Sequence, residues 1–189
     1  MLQRIEGRVV RIALDNVNTD VIAPSLYRTA VPDGDKNLTP LRPHVMEAIR
    51  PGLDEYVRPG DVFVTGKNYG CGSHREPAVQ IFKVWGVQAV VVETAGRLWF
   101  RNAIAAGLPV FELKDAPRLF DESDQIEIDL KHWRITNLTR TGEAHPVKPF
   151  PDTVMRILEL GGIMPLLKRR LEDKNAGRRD EQQTKSPVP

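Results

Sequence analysis

A chain of 189 residues, 41% hydrophobic and 28% charged, carries enough apolar material for one compact domain and too little charge bias for a disordered polymer. Its formal net charge of +2, with no long basic stripe, speaks against nucleic acid as the main partner, and no apolar run approaches the ~20 residues of a membrane span. The one cysteine, Cys71, builds no internal disulfide framework and supplies too few ligands for structural zinc or an iron–sulfur cluster. The four histidines, His44, His74, His132 and His145, show no metal-ligand spacing. With an N-terminus that alternates like a strand instead of forming a signal peptide's apolar block, these features point to a cytoplasmic protein that holds no metal of its own.

In chain order, "EGRVVRIAL" reads as a strand, and "DNVNTDVIAPSLYRT" as a turn, a short apolar extended piece and a loop. "AVPDGDKNLTPLRP" is a loop by its Pro, Gly and Asp content, and "HVMEAIRPGL" holds a short helix stopped by Pro51 and Gly52. The centre is more regular. "DVFVT" is a strand, "GKNYGCGS" a loop, and "EPAVQIFKVWG" a helix with Pro77 in its first turn and Gly86 at its end. "VQAVVVE" is a continuous apolar strand of the kind buried in parallel sheets. "AGRLWFRNAIAAG" is a second helix closed by Gly107, and "LPVFEL" a third strand. This βαβαβ order predicts an α/β fold with a parallel core. Beyond residue 120, "DQIEIDL", "HWRITNL" and "AHPVKPF" suggest a β-meander, and "PDTVMRILELGG" a capped helix. Apolar residues thin out after Lys168. The domain is expected to span residues 1–170, with 171–189 a solvated tail, disordered by Lys174.

The stretch "VTGKNYGCGSHREPA" places Gly66, Gly70 and Gly72 between a strand and a helix start, directly before Ser73, His74, Arg75 and Glu76. Glycines allow a ligand close to the backbone, helix N-termini offer unpaired N–H groups, and Arg75 can grip a carboxylate with a fork. The same residues also make a helix start: Ser73 with Glu76 three positions on is a capping box. Residue chemistry leaves both readings open. The loop is neither a P-loop, lacking Gly-Lys-Ser/Thr, nor a dinucleotide fingerprint, since Arg75 stands where the third glycine belongs. Cys71 reads as a small filler; no motif pairs it with a histidine.

"GKNYGCGSHREPA" resembles the "G-x-N-F-G-x-G-S-S-R-E-x-A" signature of the swivelling domain of the aconitase superfamily, in particular the free-standing small subunits of 3-isopropylmalate dehydratase and homoaconitase. "DNVNTDVIAPSLY" is similar to that family's "D-N-x-D-T-D-x-I-I-P-x-x-Y", and "VVVETAGRLWFRNAIAAGLPVFE" to its "V-I-A-x-S-F-A-x-I-F-x-R-N-x-x-x-x-G-L-P". "DQIEIDL", "ITNLT" and "ILELGGI" follow in the family's order, so the resemblance covers about residues 5 to 170.

The resemblance implies a three-layer β/β/α domain and a hydro-lyase. That enzyme isomerises a hydroxy-dicarboxylate by dehydration and rehydration, as in leucine biosynthesis, and is active only with a large subunit. A 4Fe-4S cluster, held by three cysteines of the large subunit, acts as Lewis acid; this chain binds no metal. Carried over by position, Ser73 is the general base and Asp20 belongs to the catalytic hydrogen-bond network. Arg75 holds a substrate carboxylate, Thr19 and His74 contribute to substrate binding, and Gly70, Cys71 and Gly72 supply loop backbone. Arg28 in "SLYRT" falls in the substrate-selecting loop. His74 replaces the family's second serine, Pro77 replaces a histidine, and "VETAGRLW" lacks an aromatic and a serine. These departures bear on the substrate more than on the reaction. The expected function is the small subunit of 3-isopropylmalate dehydratase. Homoaconitase or another alkylmalate (citramalate, dimethylmalate) dehydratase is the alternative, and a non-catalytic binding domain the alternative of another class.

Overall fold

Alternating β-branched and charged residues make Arg4–Ile12 a strand (β1), and the rest of the sheet grows from its two edges. The computed structural model describes residues 3–30, 38–140 and 142–183, the side chains of 28–30 and 175–183 excepted. On one edge of β1, Val9–Ile12 pair in parallel with Val62–Thr65 (β2). Ala89–Val92 (β3) and Val110–Glu112 (β4) follow, also parallel. On the other edge, Arg4–Arg8 pair antiparallel with Gln125–Asp129 (β5), which leads to Arg134–Asn137 (β6) and Ala144–Pro146 (β7). The result is one seven-stranded sheet in the order β4-β3-β2-β1-β5-β6-β7.

Side-chain alternation along the parallel strands builds two cores. Val10, Ile12, Phe63, Val90 and Val92 face Pro77–Val84 (α3) and Arg97–Ala106 (α4). Val9, Val62, Val64, Ala89 and Val91 face the opposite way, onto Ile126, Ile128 and Ile135 of the antiparallel half. The sheet therefore curls over itself, giving a β layer on a β layer with helices outside. This is the expected α/β architecture, and the meander after residue 120 is its second β layer.

The short helices Thr19–Ile22 (α1), Leu53–Tyr56 (α2) and Ala116–Leu119 (α5) occupy connections, and Asp152–Glu159 (α6) and Ile163–Gln183 (α7) close the chain. Four expectations need correction. The apolar piece after Asn18 is helical rather than extended, because the Asn18 side chain accepts the Val21 N–H and caps α1. Instead of the helix expected over 44–53, turns fill 45–52, between the 3-10 turn that ends at His44 and α2, which begins at Leu53. Met46 is left-handed (φ 53) and fully buried, and its N–H turns to the carbonyls of Val21 and Ile22, so tertiary contacts override local propensity. Helix α6 starts after Pro151 without a side-chain cap. The segment read as a disordered tail is helical through Gln183, in keeping with its Lys, Arg, Glu, Asp and Gln content. Residues 31–37 of the loop read at 30–43 lie outside the described residues.

Candidate active site

Strands β1, β2 and β3 end on the same edge of the sheet, and the three loops they release lock together through backbone hydrogen bonds. Gly70 N–H donates to the Val17 carbonyl (2.7 Å) and Thr19 N–H to the Cys71 carbonyl (2.9 Å). Tyr69 N–H donates to the Thr94 carbonyl (3.0 Å), and Gly96 N–H to the Tyr69 carbonyl (2.7 Å). Buried Trp99 backs this knot, its indole N–H donating to the Ala78 carbonyl at 2.9 Å. A Cβ on Gly70 would stand 2.3 Å from Trp99 Cγ, and its φ is +71°, so only glycine lets the loop lie this close to the ring. Gly72 follows at φ +95°. Cys71 between them is half-buried, and its contribution to the knot is backbone pairing with Asn18.

Thr19, Asp20, Ser73 and Arg75 meet on this edge. Thr19, 2% exposed, donates its hydroxyl to the Ser73 carbonyl at 3.0 Å, fixing the turn that presents the serine. Arg75 bridges the two segments. Its Nε donates to Ser73 Oγ at 3.2 Å, and its Nη2 lies 2.7 Å from Asp20 Oδ1. The guanidinium is mostly shielded, whereas Ser73 and half of Asp20 open to solvent. A hydroxyl with a fixed cation alongside can carry negative charge, and the guanidinium keeps further N–H groups for an anionic ligand.

The capping box does not form. Helix α3 begins only at Pro77, whose fixed φ suits a first helical position. Glu76 is its N-cap and makes no side-chain cap, accepting instead from Gln80 Nε2 at 3.3 Å. Ser73 is thus free of the helix-starting role that its sequence context also suggests. His74 is exposed and makes no hydrogen bond or ion pair with a described residue. The backbone of Arg28 lies in the 3-10 turn Ser25–Ala30 just beyond α1; its side chain falls outside the described residues. Sequence reasoning missed Asn18 as the cap of the helix that holds Asp20, although Asn before Thr-Asp is a cap signal. It also missed Trp99 as the loop's backing, a pairing no local pattern reveals.

Among the described residues no three His, Cys, Asp or Glu side chains are grouped to hold a metal ion. Nor is any helix among them long and apolar enough to cross a membrane.

Comparison with known proteins gives the family. The family model "Aconitase C-terminal domain" matches residues 3–116, a span that contains every loop of the site. The homoaconitase small subunit of Methanothermobacter thermautotrophicus is 44% identical over 161 residues, covering 85% of this chain and 88% of that protein. The isopropylmalate/citramalate isomerase small subunit of Methanocaldococcus jannaschii is 39% identical over 169 residues, covering 89% and 96%. The crystal structure of 3-isopropylmalate dehydratase (leuD) from the same organism superposes with a TM-score of 0.81 at 31% identity, covering 92% of this chain and 99% of that one. A model spanning both halves of the Asp20–Arg75 contact, with relatives matched nearly end to end, places this chain in the aconitase C-terminal domain family.

Proposed function

We propose that the chain is the small subunit of a two-subunit hydro-lyase of the 3-isopropylmalate dehydratase type, serving leucine biosynthesis in the cytoplasm. The observation that carries this reading is the convergence of Ser73, Arg75 and Asp20 from segments 53 to 55 residues apart in sequence. Ser73 Oγ, as the alkoxide, takes a proton from the substrate carbon next to a carboxylate. The electron pair left behind forms the alkene as the neighbouring C–O bond breaks and hydroxide departs, so that with the proton now on Ser73 the substrate has lost the elements of water. Rehydration reverses these steps with the hydroxyl delivered to the other carbon. Arg75 lowers the cost of the alkoxide through its Nε–H, and its free N–H groups hold the carboxylate. Asp20 fixes the guanidinium. His74 and Thr19 contribute to binding, and Arg28 reads the far end of the substrate.

The family's 4Fe-4S cluster supplies Lewis-acid chemistry at the hydroxyl when bound. This chain's donors do not fit it: there is one cysteine, and no suitable group of ligands among the described residues. The cluster is assigned to the partner large subunit. The relatives' names also favour a second substrate reading, since a protein 44% identical is called a homoaconitase small subunit.

The test is anaerobic reconstitution with a cluster-bearing large subunit, following alkene absorbance with 3-isopropylmalate, homoaconitate, citramalate and dimethylmalate. Turnover of 3-isopropylmalate that depends on this chain is expected, and Ser73→Ala should reduce kcat about 10²- to 10⁴-fold with the complex intact. Normal turnover by the Ala variant would remove Ser73 as the base. An intact complex without turnover of any acid would favour a non-catalytic role.

A further inference from the structure

The turn that replaces the expected helix at 44–53 stands behind both halves of the site. Its Met46 N–H donates to the carbonyls of Val21 (3.2 Å) and Ile22 (3.3 Å) in α1, the helix that carries Asp20. Met46 Sδ lies 4.0 Å from the hydroxyl of Tyr69, whose backbone belongs to the glycine loop. Val45 and Met46 are 1% and 0% exposed, so these two residues hold the turn to the core.

Their neighbours do something else. The His44 imidazole lies flat on the Tyr27 ring, centroids 3.4 Å apart and planes 8° apart. His44 Nδ1 is 2.7 Å from Glu47 Oε2, so the Tyr27 ring and the Glu47 carboxyl are joined through the imidazole. The bond from His44 holds the Glu47 carboxyl below its ordinary range, and the nearby Glu47 carboxyl raises the Tyr27 phenol. The cationic side chains at the two ends of the turn pair elsewhere: Arg42 with Asp54 in α2 at 2.7 Å, and Arg50 with Glu122 at 3.1 Å. About a third of the His44 and Glu47 side chains remains in solvent, so the triad adds little apolar burial. It contributes orientation: the ring stack and the His44–Glu47 bond that fixes the imidazole tie the Ser25–Ala30 turn, through Tyr27, to the turn that already grips α1.

We propose that Tyr27, His44 and Glu47 form a clamp that sets the direction in which the chain leaves α1, and that His44 is thereby a positioning residue for substrate binding at the Ser73–Arg75–Asp20 site. The clamp touches none of the reacting groups. Its loss lets the 25–30 turn swing relative to Asp20, which weakens the bound complex and spares the proton transfer. The substrate part of this inference rests on the hydro-lyase reading; the clamp itself does not.

Two measurements separate the two. Hydrogen exchange on the isolated chain reports the clamp without any activity. In His44→Ala, the amides of Val21, Ile22, Ala23 and Tyr27, all hydrogen-bonded in this region, should exchange at least about tenfold faster, while those of β2 and β3 stay unchanged. In the assembled enzyme, KM should rise about tenfold with kcat within about twofold. His44→Phe, which keeps a stacked ring and removes the bond to Glu47, should show smaller changes of the same kind; it carries the test if His44→Ala fails to fold. Unchanged exchange at these amides overturns the clamp. A fall in kcat at constant KM overturns the positioning role. No turnover by the unmodified complex removes the hydro-lyase reading, and exchange still decides the clamp.

Discussion

At Gly70 the site depends on the absence of a side chain. The residue has φ +71°, and an added Cβ would meet Trp99 Cγ at 2.3 Å and Cβ at 2.5 Å, with the indole anchored in the core and unable to yield. Gly70→Ala is therefore expected to cost roughly 2–4 kcal/mol, from backbone strain plus overpacking, and to displace Ser73. Urea denaturation checks the first part; a loss below about 0.5 kcal/mol would mean that the loop has room to shift. Single residues at the site were legible to different degrees. Ser73 and Arg75 stand in one short motif and Thr19–Asp20 in another, so sequence could nominate all four, but only the fold shows that Arg75 reaches Ser73 and Asp20 at once. Whether Ser73 caps a helix was undecidable from residues, because the answer turns on where α3 starts, and Pro77 sets that start. Trp99 was legible as a core residue, not as a wall, since its partner lies 29 positions back at Gly70.

At the scale of elements, periodicity worked where an element's own side chains decide it. Strands β2 and β3 are buried at every position, and α3 and α4 present one apolar face; these patterns are written in the sequence. It failed at 44–53, where Met46 surrenders helical geometry to hydrogen-bond α1 across space. Turn chemistry gives a pH test in the β5–β6 hairpin. The Asp129 carboxyl is held down to about 2, chiefly by the side-chain bond with His132, Nδ1 to Oδ2 at 2.7 Å. The backbone N–H groups of Lys131 and His132 add to it, at 2.9 and 3.0 Å from Oδ1. A carboxylate whose folded pKa lies below its unfolded value stabilises the fold fully above the unfolded value of ~3.9, and that stabilisation is lost as pH falls towards the folded value. Asp129→Asn should thus melt earlier than the unmodified chain at pH 5–7, with the gap closing as pH drops from about 4 to about 2. A gap constant across that range would show that the turn does not depend on the charge.

Across the whole molecule, β1 is the seam: its second half pairs with the parallel strands and its first half with the antiparallel ones, so one strand joins the two β layers. The end of the sheet that carries the candidate site belongs to the parallel half, and its three loops are tied to each other by backbone rather than by side chains alone. Stability is accordingly expected to reside in the two cores and the first turns of α7, and not in its distal half. That helix sends Leu166, 9% exposed, inward, whereas Met164 and Leu171 are 70% and 61% exposed. Beyond Leu171 its described side chains lie in solvent. Composition read this stretch as a tail because little in it can be buried; the same charged residues are good helix formers, so a helix without a buried face satisfies both facts. Removing residues 175–189 should leave the thermal midpoint within about 2 °C of the full chain. Leu166→Ala should cost about 2 kcal/mol and lower the midpoint by several degrees. Should the truncation lower the midpoint as much as Leu166→Ala does, the distal half of α7 would have to contribute to the folded core, and the domain would extend past residue 170.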